Sequence, residues 1–142
     1  MTPMRYLGFV AALSLFGSVG ALAADDLPSF EPGAWSFHRT VMTSNSSKPQ
    51  TRSVRKCTDA TEDIRKKWAA LALQSCKFSP VSHDGNRYTY SSVCQKNGMT
   101  LEMKSTLTAS GRTGYRVETE SRTKNQMQKE VLIAQRVGSC DK

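Results

Sequence analysis

The sequence of 142 residues lacks the residue patterns that usually indicate a catalytic or metal centre. It has only two histidines and four cysteines, and no two cysteines are two to four residues apart, as they are in many zinc sites. The histidines, His38 and His83, have no partner at metal-ligand or catalytic-triad spacing. No catalytic residue, metal ligand or cofactor is therefore predicted, and the chain is expected not to be an enzyme.

Long hydrophobic runs are also absent, apart from one at the N-terminus. There an apolar stretch over residues 7–16 follows Arg5 and precedes Ala21 and Ala23, which are small residues spaced as at a leader cleavage site. The stretch is too short to span a bilayer comfortably. Residues 1–23 are predicted to be a signal peptide, and residues 24–142 a single exported domain without a transmembrane segment.

The remaining composition is that of a soluble globular protein with an excess of positive charge, since the formal net charge is +8. The densest basic runs lie just before and within a predicted helix. They form a possible interaction patch for an acidic envelope protein or an anionic envelope component, and an ordinary solvated surface is the alternative. Nucleic acid is not expected as a partner, because no aromatic residues are interleaved with these runs. The residues of this basic patch are Arg52, Arg55, Lys56, Arg65, Lys66 and Lys67.

The four cysteines all follow the predicted leader, and they are predicted to form two disulfides in an oxidising compartment. Cys76 and Cys94 are each nine residues from Gly85, so a hairpin centred on this glycine would place them opposite each other. A two-residue turn would shift the pairing of the strands by one residue, and the two cysteines would no longer be opposite each other. A loop with an odd number of residues is therefore predicted. The remaining pair would be Cys57 with Cys140, although three connectivities are formally possible.

Alternating apolar and polar residues predict β-strands over most of the exported domain. One helix is predicted over residues 59–73, where Ile64, Trp68 and Leu71 recur at helical spacing. Asp59 can cap the start of this helix. The predicted strands cover residues 34–42, 51–57, 77–81, 87–93, 99–107, 115–119 and 131–137, the last being the most apolar and therefore central.

Together these elements predict a mainly β fold. It is expected to be a curved antiparallel sheet of about six to eight strands, a half-barrel-like meander, packed around the one helix. A sheet closed on itself, as in lipocalins, is the alternative. The helix should place Trp68 in the core, and Trp35 is expected there as well.

Charge spacing predicts further details of the helix and of one hairpin. The pairs Glu62–Lys66 and Asp63–Lys67 have the favourable order for ion pairs on an exposed helix face.

The hairpin near Gly111 has a register that follows from its two faces. Centring it on Gly111 places Leu107 opposite Tyr115 on the apolar face and Lys104 opposite Glu118 on the polar face.

Several features in a fixed order resemble a known family. Pro-Gly-Ala-Trp at 32–35 leads into a strand, Cys57 precedes the helix, and Cys76 and Cys94 flank a hairpin. Arg-Val-Gly-Ser-Cys at 136–140 follows the last strand. With the N-terminal leader, this order resembles the domain-of-unknown-function 3617 family (DUF3617), small exported proteins of Gram-negative bacteria. The resemblance implies a periplasmic location and a mostly antiparallel β domain, and it implies no established activity or catalytic residue.

The leading functional hypothesis is a periplasmic, non-enzymatic binding or interaction module. An inhibitor or immunity-type protein for an exported enzyme is one alternative, since the chain is small, disulfide-linked and charged. A soft-metal or small-ligand binding protein is another, because thioethers select Cu(I), although methionines also fill irregular cores. A deep apolar pocket would favour ligand binding, whereas a filled core with an exposed charged patch would favour a protein partner. The methionines of the exported domain are Met42, Met99, Met103 and Met127.

Overall fold

In the computed structural model, the described residues form one antiparallel sheet of eight strands and one helix. The structure describes residues 27–72 and 75–141, with the backbone alone at 71 and 72. The predicted leader and its cleavage point therefore lie outside the described residues, as does the predicted contribution of Leu71 to the helix stripe. The elements are β1 (Gly33–Thr43), β2 (Gln50–Thr58), α1 (Ala60–Ala72), β3 (Cys76–Phe78), β4 (Ser82–Asp84), β5 (Arg87–Lys96), β6 (Met99–Ser110), β7 (Gly114–Arg122) and β8 (Met127–Gly138).

The sheet has the order β2-β1-β8-β7-β6-β5-β3, and β4 also pairs with β5. This arrangement confirms the predicted mainly β, antiparallel fold and the interior position of the last strand. Within the described residues β2 and β3 each pair on one side only, so the sheet is open and the closed alternative is wrong. The physical reason is the connection: α1 joins these two edge strands along the chain and contacts both of them, which keeps the edges apart.

The sheet curves around the helix, as predicted. On one side of α1, the carboxylate of Asp63 binds the ammonium of Lys56 on β2. On the other side, the ring centroids of Trp68 and of Tyr90 on β5 are 4.6 Å apart. In a flat sheet, β2 and β5 would be about 24 Å apart. A helix with its side chains is only about 10–12 Å wide. Contact with both strands therefore requires curvature.

Strand alternation gives the sheet a core face, which packs against α1, and an outer face. Trp35 is fully buried on the core face, and its indole N–H donates to the carbonyl oxygen of Glu31 at 3.0 Å. Trp68 is also buried, so both tryptophans lie in the core as predicted. Aromatic rings supply most of this core. Its other aromatic members are Phe30, Tyr88, Tyr90 and Tyr115.

The helix begins as predicted but forms different ion pairs. The carboxylate of Asp59 accepts hydrogen bonds from the backbone N–H groups of residues 61 and 62 at 3.0 and 3.2 Å. Asp59 is therefore the N-cap of the helix. Neither predicted i,i+4 pair is present among the described residues: Glu62 contacts Arg65 instead, and Asp63 contacts Lys56. Lys56 reaches Asp63 from the neighbouring strand, and this strand-to-helix contact displaces the one within the helix.

The register of the β6–β7 hairpin differs from the prediction by two residues. Leu107 faces Val117 and Lys104 faces Glu120, because a three-residue loop over 111–113 separates the strands. Gly111 occupies the first loop position with φ of 61°, rather than the centre of the turn. A displacement of two leaves every side chain on its predicted face, so an opposite-charge pair still lies on the outer face.

Both predicted disulfides are present, Cys57–Cys140 and Cys76–Cys94. The predicted odd-length loop is wrong, because Asp84 pairs with Arg87 across a two-residue turn at 85–86. Between β4 and β3 the register then changes by one residue, which brings the two cysteines opposite each other. Ser79 lies at this change of register. Its hydroxyl oxygen accepts a hydrogen bond from the backbone N–H of residue 91 at 2.8 Å, in place of a regular bond between the two strands.

Candidate functional site

A groove opens between α1 and the core face of the sheet, on the side of the edge strand β2. Ile64 and Trp68 of the helix form one wall, and Phe37, Val54 and Leu132 lie on the sheet. The volume is about 430 Å³, and the lining is mostly apolar. Curvature creates this groove, since its residues come from strands at opposite sides of the sheet. The charged residues in its lining are Lys56, Asp63 and Lys67.

A second, more polar cavity of about 380 Å³ continues along the same face. It shares Lys67, Tyr90, Val117 and Leu132 with the apolar groove. Its polar side chains bind each other: the guanidinium of Arg39 donates to Glu130 at 2.6 Å, and the hydroxyls of Ser105 and Thr119 are 2.8 Å apart. The two cavities therefore form one continuous amphipathic surface.

Asp63 holds Lys56 at the edge of the groove. Its carboxylate accepts from the ammonium of Lys56 at 2.7 Å and from the hydroxyl of Thr58 at 2.8 Å. Burial raises the pKa of Asp63, but the hydrogen bonds from Lys56 and Thr58 and the nearby positive charges outweigh that effect and lower the pKa below its ordinary value. Asp63 is therefore a fixed anion, and Lys56 also lies 5.3 Å above the ring of Phe37.

Tyr115 is the most buried titratable group in the groove lining. Burial and the charge of Asp63 raise the pKa of Tyr115 to about 12. The phenol is therefore neutral at physiological pH, and its ring contributes apolar surface through contact with Trp35 and Phe30.

The basic patch does not form one surface. Lys56 and Lys67 both line the groove, and Arg52 shares the core face with Lys56. Arg55 points to the outer face, because it is one residue out of phase with Lys56 along β2.

The patch cations on α1 also diverge. Arg65 contacts Glu62 on the exposed side of the helix. Lys66 is exposed and close enough to Asp63 to lower its pKa, but it does not line the groove.

Sequence reasoning missed the sheet residues that contribute most to the site. Phe37 and Arg39 lie within the predicted strand 34–42 and Leu132 within the predicted strand 131–137, whereas Glu130 lies just before it, in the part of β8 that the prediction left out. In the structure these four residues share the core face. The sequence pattern predicted the strands. It did not indicate that the helix would cover only part of that face.

Strand parity separates the methionines in pairs. Met99 and Met103 lie on the core-face parity of β6, whereas Met42 and Met127 lie on the outer-face parity of β1 and β8. Among residues 27–72 and 75–141, no group of three or more His, Cys, Asp or Glu could hold a metal ion. In the same part of the chain, no helix is long and apolar enough to cross a membrane.

Comparison with known proteins places the chain in a family. Neither the curated proteins nor the solved structures include a match to this chain. A family model described as a protein of unknown function (DUF3617) matches residues 30–140, which span every strand, the helix and all four cysteines. The chain therefore belongs to the DUF3617 family.

Proposed function

We propose that this protein is an exported, non-enzymatic module that binds a small, largely apolar ligand in the groove between α1 and the sheet. The groove is the observation that carries the proposal. Ligand pockets are typically about 300–1,000 Å³ and mostly apolar, with a few polar groups that orient the ligand. A groove of about 430 Å³ lined by Phe37, Trp68 and Leu132 has this size and character.

The exposure of apolar side chains along the groove supports binding rather than a packed interior. Val54 lies opposite Phe37 on the core face of the sheet, yet it is 41% exposed. One wall of the groove therefore faces solvent. Covering such surface is favourable by roughly 25 cal/mol per Å². A ligand that fills the groove would gain this contribution.

Two titratable groups of the groove, Asp63 and Tyr115, support a role without catalysis. A general acid or base works best with a pKa near the operating pH. The pKa of Asp63 is lowered and that of Tyr115 is raised to about 12, so neither group exchanges protons near neutrality. Both are suited to shape and electrostatics rather than to proton transfer.

Export to the periplasm is part of the proposal, and the leader pattern together with the two disulfides supports it. The protein recovered from the periplasm is expected to begin at Ala24 and to have no free thiol. Intact mass with and without reduction checks both points. A mass that retains residues 1–23, or thiols that react without reduction, would contradict export and oxidation.

Ligand binding is tested with N-phenyl-1-naphthylamine, a neutral probe whose fluorescence rises in apolar surroundings. The protein should bind it, and Val54→Trp should weaken binding about fivefold or more, because overfilling an apolar site costs about 1–3 kcal/mol. Val93→Trp is the matched control: Val93 is also 41% exposed but lies on the outer face of β5.

Two results would count against the groove. One is an absence of probe fluorescence with a correctly folded protein. The other is equal weakening by the two tryptophan variants.

A second candidate function, binding of an acidic protein segment, is favoured by the edge strand β2. Residues 50–57 are exposed on both faces, and their outer main-chain groups can pair with an added strand. Arg52 and Arg55 would favour an acidic segment on either face. An oligoglutamate peptide should bind, and Arg52→Glu/Arg55→Glu should abolish binding at low salt. Unchanged binding in this variant would refute the candidate.

A further inference from the structure

Lys67 occupies the junction of the two cavities. It lines the apolar groove together with Phe37 and Trp68, and it lines the polar cavity together with Arg39 and Glu130. A group bound beside Lys67 would therefore have an apolar surface on one side and a polar surface on the other.

The other two cations of this surface have carboxylate partners. Arg39 binds Glu130 at 2.6 Å and Lys56 binds Asp63 at 2.7 Å. Asp63 is the acid that helical spacing would give to Lys67, but Lys56 and Thr58 occupy it. Within the described part of the chain Lys67 forms no ion pair. The residues that line the two cavities thus carry one positive charge in excess; Arg52, opposite Arg39 on the same face, lines neither cavity.

We infer that the ligand of the groove is a long-chain monocarboxylate whose head group binds Lys67. The inference rests on the proposed function and specifies the class of ligand. A single negative charge matches the single excess positive charge, and a hydrocarbon chain matches the apolar lining. The ammonium of Lys67 can donate to both carboxylate oxygens.

The placement of the chain follows from the two linings. It lies in the apolar groove against Phe37, Trp68 and Leu132, where the helix and the sheet supply facing walls. The head group faces the polar cavity, where water can hydrate its remaining lone pairs beside Ser105 and Thr119.

The test compares dodecanoate with dodecanol, which have the same chain and differ in charge. Binding is followed by tryptophan fluorescence, because Trp68 lines the groove while Trp35 is fully buried. Both ligands are used below the concentration at which they form micelles or separate. Dodecanoate should bind about tenfold more tightly than dodecanol, as expected for one charge-assisted contact.

Lys67→Gln should remove this preference by weakening dodecanoate binding about tenfold while leaving dodecanol binding unchanged. Lys66→Gln is the matched control, since it removes the same charge from the adjacent, exposed residue that does not line the groove. It should retain the preference.

The possible outcomes separate this inference from the proposed function. Equal affinity for dodecanoate and dodecanol would overturn the carboxylate anchor and leave an apolar binding groove. Loss of the preference in Lys66→Gln as well would assign it to general charge and overturn the role of Lys67. Binding of neither ligand nor the neutral probe would overturn both proposals.

Discussion

At the residue scale, Asp63 links the edge strand, the helix and the groove. It lies in the first turn of α1, where a negative charge also interacts favourably with the helix dipole. Its two hydrogen-bond donors, Lys56 and Thr58, belong to β2. One carboxylate therefore fixes the end of β2 against the helix and determines which lysine faces the ligand.

Asp63→Asn is predicted to destabilise the protein at neutral pH by about 0.2–1 kcal/mol, the range for exposed ion pairs. The pKa of Asp63 is lower in the folded protein than its ordinary value of 3.8. Its stabilising effect is therefore complete above the unfolded-state pKa and is lost as the pH falls through the folded-state pKa. Urea denaturation of both proteins at pH 7 and at pH 3 measures the difference. A gap that stays constant down to low pH would exclude the carboxylate as its cause.

The contacts of a single residue could be predicted from the sequence when its partners lay in the same element of secondary structure. The N-cap role of Asp59 could be read from sequence, because its partners are two and three residues away. The partner of Asp63 could not, because both Lys56 and Lys67 are close to it along the chain. Only the position of β2 beside α1 decides between them.

At the element scale, the β6–β7 loop depends on a left-handed conformation at Gly111. Gly111→Ala is predicted to destabilise the protein by about 1–2 kcal/mol, because φ of 61° is unfavourable for a residue with a Cβ atom. The cost is conformational, since no atom beyond the two adjacent residues lies within 4 Å of the added methyl group. Thermal or urea denaturation gives the value.

Gly114→Ala is the control at the other end of the same loop. Gly114 has no positive φ, and an added Cβ would lie 3.6 Å from its nearest neighbours, an ordinary contact distance. Its effect on stability should be small. Equal destabilisation by the two alanine variants would mean that space rather than backbone conformation limits the loop.

The faces of the elements were predictable and the loop geometries were not. Alternation places Leu107 and Tyr115 on the core face, and a shift of the strand register by any even number of residues leaves them there. Loop length depends on hydrogen bonds to distant parts of the chain: the carbonyl oxygen of Arg112 accepts from the backbone N–H of Glu31, before β1, and that of Thr113 accepts from the backbone N–H of Arg136 on β8. Such tertiary contacts leave no signal in the hairpin itself.

At the scale of the whole molecule, the fold class could be predicted because strand alternation, one helical stripe and an even number of cysteines all agreed. The groove could not. It exists because the sheet curves far enough for Val54 of β2 and Tyr90 of β5 to line one cavity. Curvature of this kind depends on twist accumulated over many strands, whereas a sequence pattern reports one strand at a time.

The two disulfides are predicted to contribute unequally to stability. They close loops with sequence separations of 83 and 18 residues. The chain-entropy model gives about 4.5 kcal/mol for Cys57–Cys140 and about 3 kcal/mol for Cys76–Cys94. Cys57→Ala/Cys140→Ala should therefore lower the free energy of unfolding more than Cys76→Ala/Cys94→Ala, as measured by urea denaturation.

Cys57–Cys140 should also control the groove, because it ties the end of β2 to the segment after β8. The side chains of β2 are exposed over residues 50–57, so little burial holds this strand in place. Removing the disulfide should accelerate hydrogen exchange of the β2 amides and weaken binding of the neutral probe. Removing Cys76–Cys94 should leave both unchanged, since β3 contributes no residue to the groove. Equal exchange of β2 in the two variants would mean that pairing with β1 alone positions the open wall of the groove.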